Sequence, residues 1–345
     1  MQALIFGRPK CSLGKNAKTL AMSKWVITGG AGFIGSALLW KLNEEGMSDI
    51  LVVDLPEHPE KRKNLTHRRY ADYMDAEEFK DRLLAGKLSK IDGIVHMGAC
   101  SSTTEMDVDY LRRNNTEYTK SLAQWSLKKG TPFIYASSAA TYGDGAEGYS
   151  TDEVVTQKLK PLNPYGDSKQ QFDLWALREG VMDKLVGIKF FNIFGPNEYH
   201  KGDMRSVVAK AYDQIQKDGK IRLFKSCHPD YKDGEQERDF LYVKDAVAVV
   251  YEFMKGKGYG GLYNLGAGKA RTWNDLAKAI FAALGRPPRI EYIDMPETLR
   301  EKYQYHTEAD MSWMKKKRKL PKFRSLEESV RDYVQNYLSK EDPYL

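Results

Sequence analysis

Residues 25 to 35 have the sequence WVITGGAGFIG, which combines a short apolar run with four glycines. The run WVIT predicts a β-strand, and the segment from Phe33 to Glu45 predicts a helix because its leucines recur at helical spacing before Gly46. The glycines fit both GxGxxG and GxxGxxG between these two elements. Without side chains, their backbone N–H groups can approach a pyrophosphate at the positive end of the helix. The stretch therefore predicts a dinucleotide-binding unit of strand, turn and helix.

The rest of the chain continues the same alternation of short apolar runs and longer amphipathic segments, which is typical of β-α-β units in a parallel sheet. We predict helices between five strands, which lie at Trp25 to Thr28, Ile50 to Asp54, Gly93 to Met97, Phe133 to Ser137 and Leu185 to Phe190. After about Asn192 the pattern changes to glycine-, proline- and charge-rich stretches and a closing helix from Leu326 to Leu338. Short α/β pieces are predicted at Phe240 to Val243, Tyr263 to Leu265 and Thr272 to Leu284. We expect an α/β protein with a Rossmann-type doubly wound parallel sheet and a smaller C-terminal α/β substrate domain.

These patterns divide the chain into three parts. Residues 1–22 show no strand or helix period and are expected to form a flexible N-terminal extension, in which the apolar cluster is too short for a signal peptide. Residues 23–191, with part of 238–270, are assigned to the dinucleotide-binding Rossmann domain. Residues 192–237 and 271–345 are assigned to the substrate-binding domain.

Composition excludes several classes of protein. With 41% hydrophobic and 29% charged residues, the chain is neither disordered nor fibrous. It has no apolar run near the roughly 18 residues of a membrane-spanning helix. Cys11, Cys100 and Cys227 include no CxxC pair, which argues against a disulfide framework and a zinc site, so we expect no metal and a reducing, cytoplasmic location.

The formal net charge of +7 favours a phosphate-bearing partner. The basic run from Lys315 to Lys319 lacks interleaved aromatic residues and is interpreted as a solvated helix end, so neither nucleic acid nor membrane is expected as a partner.

A tyrosine and a lysine four residues apart suggest acid–base chemistry. Tyr165 and Lys169 should project from one face of a helix, where the ammonium lowers the pKa of the phenol from about 10. The same spacing recurs at Tyr251 and Lys255, on an amphipathic helix, and there we interpret the tyrosine as core packing. The first pair differs because it follows a predicted strand end with Ser138, whose hydroxyl can bind a substrate oxygen. These residues predict hydride transfer assisted by tyrosine, serine and lysine.

The choice between two nicotinamide cofactors stays open at this stage. Asp54 ends the second predicted strand nineteen residues after Gly35, where a carboxylate binds the adenosine ribose. Such a carboxylate favours the 2′-hydroxyl of NAD. Lys61 and the arginines at 62, 68 and 69 can instead neutralise the 2′-phosphate of NADP.

Longer motifs place the chain in a known family. They are GACSSTTE from Gly98 to Glu105, YASSAATYG from Tyr135 to Gly143, FNIFGP from Phe191 to Pro196, HKG from His200 to Gly202 and RDF from Arg238 to Phe240. With these motifs the chain resembles the extended short-chain dehydrogenase/reductase family, and within it the nucleotide-sugar epimerases. The resemblance implies an isomerase that uses bound NADP to convert ADP-D-glycero-D-manno-heptose into ADP-L-glycero-D-manno-heptose, for lipopolysaccharide inner-core precursor synthesis. We also expect a homo-oligomer.

The resemblance also implies roles for individual residues. The cofactor is expected to contact Gly29, Gly32, Phe33, Ile34, Gly35, Asp54, Leu55, Lys61, Met97, Gly98, Ala99, Cys100, Ser101, Asn114, Tyr165, Lys169 and Ile193. The ADP-heptose substrate is expected to contact Ser138, Asn192, Lys201, Asp203, Lys210, Phe224, Lys225, Ser226, Cys227, Arg238 and Tyr303. The chain departs from the family pattern at Leu55, Asp203 and Lys210, where asparagine, serine and histidine are common, and in a longer stretch before Arg238.

The chemistry at C6″ of the heptose explains why such an epimerase needs a cofactor. Because C6″ carries no acidic C–H, the carbon is oxidised to a ketone and hydride returns to the opposite face. The resemblance nominates Tyr165 and Lys201 as two acid/base groups, with Ser138 polarising the ketone and Lys169 supporting the tyrosine. From the residues alone, a phosphate-binding role for Lys201 also stays open.

Two alternative functions are weighed against this one. A 4-epimerase or a 4,6-dehydratase would share the fold, but Ser138 is followed by Ala139 and Ala140 rather than by the acidic residues that dehydratases place there. A non-catalytic NADP-binding regulator would retain the fold and lose the tyrosine or the lysine, and both are present.

Overall fold

The computed structural model describes residues 24–55, 59–88, 90–256, 258–300, 303–317 and 320–345. The predicted extension at 1–22 lies outside these residues, as do Cys11 and the last two residues of the basic run. The strands are β1 Trp25–Thr28, β2 Ile50–Asp54, β3 Asp72–Asp75, β4 Gly93–His96, β5 Phe133–Ser138, β6 Val186–Phe190, β7 Asn192–Phe194, β8 Ile221–Phe224, β9 Glu237–Arg238, β10 Phe240–Tyr242, β11 Gly261–Leu265, β12 Arg271–Thr272 and β13 Ile290–Ile293. The α-helices are α1 Phe33–Glu44, α2 Pro59–Lys63, α3 Ala76–Leu84, α4 Val108–Leu111, α5 Tyr118–Lys129, α6 Glu153–Lys158, α7 Pro164–Arg178, α8 Val207–Asp218, α9 Val243–Lys255, α10 Trp273–Ala283, α11 Glu297–Arg300, α12 Ser312–Lys317 and α13 Leu326–Tyr333.

Seven strands form one parallel sheet in the order β11-β6-β5-β4-β1-β2-β3. Every residue of β1, β2 and β4 is buried, as expected for central strands covered by helices on both faces. The chain order reverses at β1, whose two neighbours are β2 and β4, and ligands bind outside the carboxyl ends of the strands at such a switch point. The predicted Rossmann-type fold is confirmed.

The five predicted strands are all present, and their ends lie within one residue of the predicted positions. Two strands of the sheet were not predicted as such. The edge strand β3 has the sequence DYMD and is only partly buried, so it lacks the apolar run that marks a central strand. The other, β11, begins two residues before the predicted piece at Tyr263 to Leu265 and pairs with β6.

A second hydrophobic core lies after Asn192, where α8, α10 and α13 pack around the parallel pair of β8 and β13. The predicted closing helix is present as α13 and a π-helical continuation from Val334 to Leu338. The antiparallel pair of β9 and β12 and the parallel pair of β7 and β10 are also separate from the central sheet. The predicted domain boundaries stay a prediction.

The glycine turn between β1 and α1 has no room for side chains. Gly29 has a φ of +66°, and a Cβ atom there would lie 2.5 Å from the backbone nitrogen of Gly98. A Cβ atom at Gly35 would overlap the carbonyl oxygen of Gly29. The backbone N–H of Gly32 also donates to that oxygen at 3.0 Å, which closes the turn. Glycine is therefore required where α1 packs against the end of β1.

We expect Gly35→Ala to lower the free energy of unfolding by about 1–3 kcal/mol, because the added methyl group is overpacked against backbone. The same displacement of the turn should empty the purified protein of nucleotide. Urea titration and the 260 nm absorbance of the purified protein measure the two effects. The matched control is Gly130→Ala: Gly130 has a φ of +64° and open space around it, so this variant should lose stability and keep its nucleotide. Normal nucleotide content in Gly35→Ala would contradict the prediction.

Candidate active site

A cavity of about 1030 Å³ opens outside the carboxyl ends of β1, β2, β4 and β5. All seventeen residues predicted to contact the cofactor line it, and so do the predicted catalytic residues Ser138 and Lys201. These residues come from nine separate parts of the chain. The topology of the sheet therefore brings together residues that the sequence analysis selected by motif.

Asp54 lies at the end of the cavity where an adenosine ribose is expected. Its carboxylate accepts hydrogen bonds from the backbone N–H of Ala31 at 2.9 Å and of Leu55 at 2.8 Å. The same carboxylate forms an ion pair with Lys61. Asp54 is buried, whereas Leu55 is 51% exposed at the cavity rim. The negative charge of Asp54 is thus balanced within the protein, and Lys61 brings a cation to the cavity wall.

The loop after β4 is held by a single amide side chain. Asn115 accepts from the backbone N–H of Cys100 at 2.9 Å, donates to the carbonyl of Cys100 at 2.9 Å and donates to Ser168 Oγ at 2.9 Å. Asn115 and its neighbour Asn114 lie in a π-helical segment from Arg112 to Glu117, a local geometry that is frequent at functional sites. The segment fixes the loop that lines one wall of the cavity.

Tyr165, Lys169 and Ser138 line the same cavity. Helix α7 begins where the Asn163 side chain accepts from the N–H of Gly166 at 2.8 Å, and this cap places Tyr165 in its first turn. Burial raises the pKa of the Tyr165 phenol, and a hydrogen bond with Ser138 only partly opposes the rise. Burial lowers the pKa of Lys169 to about 8.

The predicted lowering of the Tyr165 pKa by Lys169 is therefore wrong for the structure. The dominant effect on Tyr165 is loss of water around the phenolate, which favours the neutral phenol. Lys169 experiences the same loss of water, which destabilises its ammonium form and lowers its pKa to about 8. Tyr165 is consequently a proton donor at neutral pH.

A buried ion pair lies beneath Ser138. Lys189 Nζ is 3.0 Å from Asp173 and donates to Thr141 Oγ1 at 2.5 Å, and both charged side chains are fully buried. Thr141 in turn donates to the carbonyl of Ser138 at 2.7 Å, and Ser137 donates to Asp173 at 2.7 Å. Removing one partner of such a pair typically costs about 3–5 kcal/mol. The network fixes the strand end that presents the Ser138 hydroxyl.

Lys201 reaches the cavity from a different element, the 3₁₀ turn from Tyr199 to Met204. Its Nζ lies 5.3 Å from the centroid of the Phe33 ring at the start of α1. Burial lowers the pKa of Lys201, and the attraction of Glu198 opposes this change. Two of the ionisable groups that line the cavity, Tyr165 and Lys201, are therefore held by two separate elements, α7 and the 3₁₀ turn.

The remaining predicted substrate residues do not line this cavity. Arg238 is buried between two aromatic rings, with its guanidinium carbon 5.6 Å from the centroid of Trp273 and 5.1 Å from that of Tyr303. Trp273 Nε1 donates to the Tyr303 hydroxyl at 2.9 Å. The segment from Phe224 to Cys227 begins at the last residue of β8, and the N–H of Cys227 donates to the hydroxyl of Tyr305 at 3.2 Å. Arg238 and this segment are therefore linked to neighbouring tyrosines of a second polar cluster.

The other three predicted substrate residues lie nearer to the surface. Asn192 begins β7 and is exposed, and so is Asp203. Lys210 on α8 donates to the carbonyl of Asp203 at 3.2 Å. Their predicted contacts with substrate stay predictions.

The sequence analysis missed several residues of the cavity wall. They are Thr28, Val53, Asp75, Ala76, Glu77, His96, Ser102, Tyr110, Tyr118, Ala136, Phe190, Phe191, His200 and Met204. Several of them end or follow strands of the parallel sheet, and that position was the available signal. His96 shows that such a residue can be structural: its ring nitrogens lie 2.5 Å from Thr28 Oγ1 and 2.8 Å from Thr119 Oγ1, and burial lowers its pKa to about 3.

The second tyrosine–lysine pair lies away from the cavity. Tyr251 on α9 packs against the main hydrophobic core, and the Nζ atoms of Lys255 and Lys41 lie 4.6 Å and 5.3 Å from its ring centroid. Its interpretation as a packing residue is confirmed. Within the ranges that the structure describes, no helix is long and apolar enough to cross a membrane, and no cluster of His, Cys, Asp or Glu is arranged to hold a metal ion.

Comparison with known proteins identifies the family. The model of the NAD dependent epimerase/dehydratase family matches residues 25–266. ADP-L-glycero-D-manno-heptose-6-epimerase of Nitratidesulfovibrio vulgaris is 56% identical over 322 residues, which cover 93% of this chain and 100% of that protein. The protein of the same name from Fusobacterium nucleatum is 47% identical over 330 residues, with 93% and 99% covered. The solved structure of the Helicobacter pylori ADP-L-glycero-D-manno-heptose-6-epimerase aligns with a TM-score of 0.74 and 26% identity, with 91% and 96% covered. The chain belongs to the NAD dependent epimerase/dehydratase family and, within it, to the ADP-L-glycero-D-manno-heptose-6-epimerases.

Proposed function

We propose that this chain is an isomerase that interconverts ADP-D-glycero-D-manno-heptose and ADP-L-glycero-D-manno-heptose by epimerisation at C6″. The observation that carries the proposal is the single cavity that holds Tyr165, Ser138, Lys169 and Lys201 next to the glycine turn. Relatives that are named for this activity match almost the whole chain. We propose that the product, ADP-L-glycero-D-manno-heptose, serves as a precursor in the synthesis of the lipopolysaccharide inner core.

The residues present fit a nicotinamide cofactor. Gly29, Gly32 and Gly35 line the cavity, and a Cβ atom at Gly29 or Gly35 would collide with protein backbone. A turn without side chains allows the close approach of a pyrophosphate. Lys169 is buried and faces the cavity, where it is proposed to hold the nicotinamide ribose. When bound, the cofactor supplies the acceptor and the donor of hydride at C6″.

The acid–base groups of the chain complete the reaction. Lys201, with its lowered pKa, takes the proton of the 6″-hydroxyl as that carbon is oxidised. Ser138 donates a hydrogen bond to the ketone oxygen, and the sugar turns so that its other face receives hydride. Tyr165, which is a phenol at neutral pH, then donates the proton that regenerates the hydroxyl. In the reverse direction the two groups exchange roles.

NADP is the proposed cofactor, because the structure balances the negative charge of Asp54 internally. Ala31 and Leu55 donate to that carboxylate and Lys61 neutralises it, so it does not repel a 2′-phosphate. Asp75 also lines the cavity, but its carboxylate caps α3 and is stabilised by the positive helix end. Lys61 remains close enough to the cavity to bind the phosphate.

We expect NADP rather than NAD to be released when the purified protein is denatured, with the nucleotide identified by its mass. Lys61→Ala should weaken NADP binding by about tenfold, the effect of losing one charged hydrogen bond, and leave NAD binding nearly unchanged. Isothermal titration of the stripped protein with both nucleotides measures this difference. Tighter binding of NAD than of NADP to the unmodified protein would reverse the assignment.

Location and assembly complete the proposal. Cys100 and Cys227 are free thiols, which supports a reducing cytoplasmic location. The homo-oligomer stays a prediction, and light scattering of the purified protein tests it.

A further inference from the structure

A buried carboxylate closes the turn that carries Lys201, and the proposed mechanism does not use it. Glu198 is fully buried, at 0% exposure. Its Oε1 accepts hydrogen bonds from Gly195 N at 3.3 Å, Ser206 Oγ at 2.7 Å and Tyr333 OH at 3.0 Å. Its Oε2 accepts from Ser206 N at 2.5 Å. One side chain therefore joins both ends of the turn to each other and fastens them to α13.

The hydrogen bonds of Glu198 bring no positive charge to its carboxylate. All four donors are uncharged groups, and a buried anion is costly unless a cation compensates it. Burial raises the pKa of Glu198, whereas these hydrogen bonds and the charge of Lys201 oppose the rise. The backbone N–H of Lys201 also donates to the carbonyl of Glu198 at 3.0 Å. The lysine is thus tied to this carboxylate through the turn itself.

Several other charged or titratable groups face Lys201 or share its cavity. They are His200 and Asp203 on the same turn, Lys61 of α2, Asp54 and Asp75 at the ends of β2 and β3, Glu77 of α3, His96 at the end of β4, Cys100, Tyr110 of α4, Tyr118 of α5, Tyr165 and Lys169 of α7 and Lys210 of α8. Asp54 is paired with Lys61, and Asp203 is exposed to solvent. The positive charge of Lys210 lowers the pKa of Lys201, in the opposite direction to the effect of Glu198.

We propose that Glu198 is a positioning residue for Lys201: it fixes the turn that presents the lysine to the cavity and is the counter-charge of its ammonium group. The inference rests on the proposed function, which gives Lys201 its acid/base role. Glu198→Gln keeps the shape of the side chain and removes its charge. The hydroxyls of Ser206 and Tyr333 can reverse to accept from the new amide, so most of the hydrogen bonding survives.

The test measures the protonation of Lys201 directly in the full chain. The amine reacts with acetic anhydride only when neutral, and mass spectrometry of its peptide gives the extent of reaction at each pH. In Glu198→Gln the midpoint of the reaction should move about one pH unit downward, because the anion that stabilised the ammonium is lost. Lys210→Met should move the midpoint upward. An unchanged midpoint in a folded Glu198→Gln protein would overturn the proposal.

Tyr333→Phe is the matched control. It removes one neutral donor from the same carboxylate and leaves the charge in place. A purely structural role of Glu198 predicts that both variants lose stability and that neither moves the midpoint. Our proposal predicts a shift in Glu198→Gln alone. Epimerisation by the unmodified protein is assayed in parallel: its absence refutes the proposed function, whereas an active protein with no shift in Glu198→Gln refutes only this inference.

A second measurement applies if Glu198→Gln does not fold. Lys201→Met removes the counter-charge, so the pKa of Glu198 in the folded protein should rise further above its unfolded value. A carboxyl group with a raised folded pKa destabilises the protein as pH rises through that range. The difference in unfolding midpoint between the unmodified protein and Lys201→Met should therefore widen from about pH 4 to about pH 8. A difference that is the same at both pH values would overturn the proposal.

Discussion

Tyr165→Phe is expected to lower the rate of epimerisation by about 10²- to 10⁴-fold, the usual contribution of a general acid or base. The change removes only the hydroxyl group that shares a hydrogen bond with Ser138. The ring stays, so the fold and the content of bound nucleotide should not change. Since Tyr165 is a phenol at neutral pH, the variant lacks the group that returns the proton. Interconversion of the two ADP-heptose epimers, followed by chromatography, measures the loss.

Tyr251→Phe is the internal control for this prediction. The Tyr251 and Lys255 pair has the same spacing on α9 but packs against the hydrophobic core, outside the cavity. Its hydroxyl should contribute nothing to the reaction. Equal losses in Tyr251→Phe and Tyr165→Phe, with both proteins folded, would contradict the assignment.

Lys201→Met is expected to cause a loss of similar size, about 10²- to 10⁴-fold in kcat. Methionine has nearly the same length and still packs beside the Phe33 ring, but it cannot take or give a proton. Nucleotide content should remain normal, because the pyrophosphate is held by the glycine turn. The measurement is the separate determination of kcat and KM for both epimers.

Separate values of kcat and KM also test the alternative that Lys201 binds a phosphate of the substrate. A lysine that only binds a phosphate of the substrate contributes equally to the ground state and the transition state. Its removal would raise KM and leave kcat nearly unchanged. That outcome, or a near-normal rate, would remove Lys201 from the acid–base mechanism.

The sequence predicts the central sheet well because its inner strands are buried on both faces. Such strands are continuous apolar runs in the sequence. The glycine turn that follows Thr28 identifies the first of them. The edge strand β3 gives no such signal, since Asp72 and Asp75 at its ends are at least partly exposed. The strand β11 was placed only in part, because its first residues precede the apolar run and its partner β6 lies more than seventy residues earlier in the chain.

The cofactor side of the site is also accessible to sequence analysis. Motifs that follow strand ends in a parallel sheet must converge at one edge, and all seventeen predicted residues do so. The direction of the Tyr165 pKa could not be predicted in this way. Burial depends on how the walls of the cavity close around the phenol, and it outweighs the effect expected of a neighbouring lysine.

Buried polar partners are the other feature that the sequence did not indicate. Glu198, Asp173 and Lys189 are charged residues, which a pattern analysis assigns to the surface. Their side-chain partners lie between 8 and 135 residues away along the chain, so no local spacing predicts them. Asp173 is a partial exception. It follows Lys169 by four residues on the same face of α7, and this spacing weakly indicates that its side chain lies near the predicted site.

The central claim is that epimerisation proceeds by transient oxidation at C6″, and the most direct test is the fate of the hydrogen on that carbon. Either ADP-heptose epimer is incubated with the purified protein in D₂O, without added cofactor, and the products are examined by NMR and mass spectrometry. We predict that both epimers give the same mixture and that no solvent deuterium appears at C6″, because the hydride that leaves the carbon returns to it. Deuterium at C6″ during turnover would contradict the account and require direct deprotonation of the carbon.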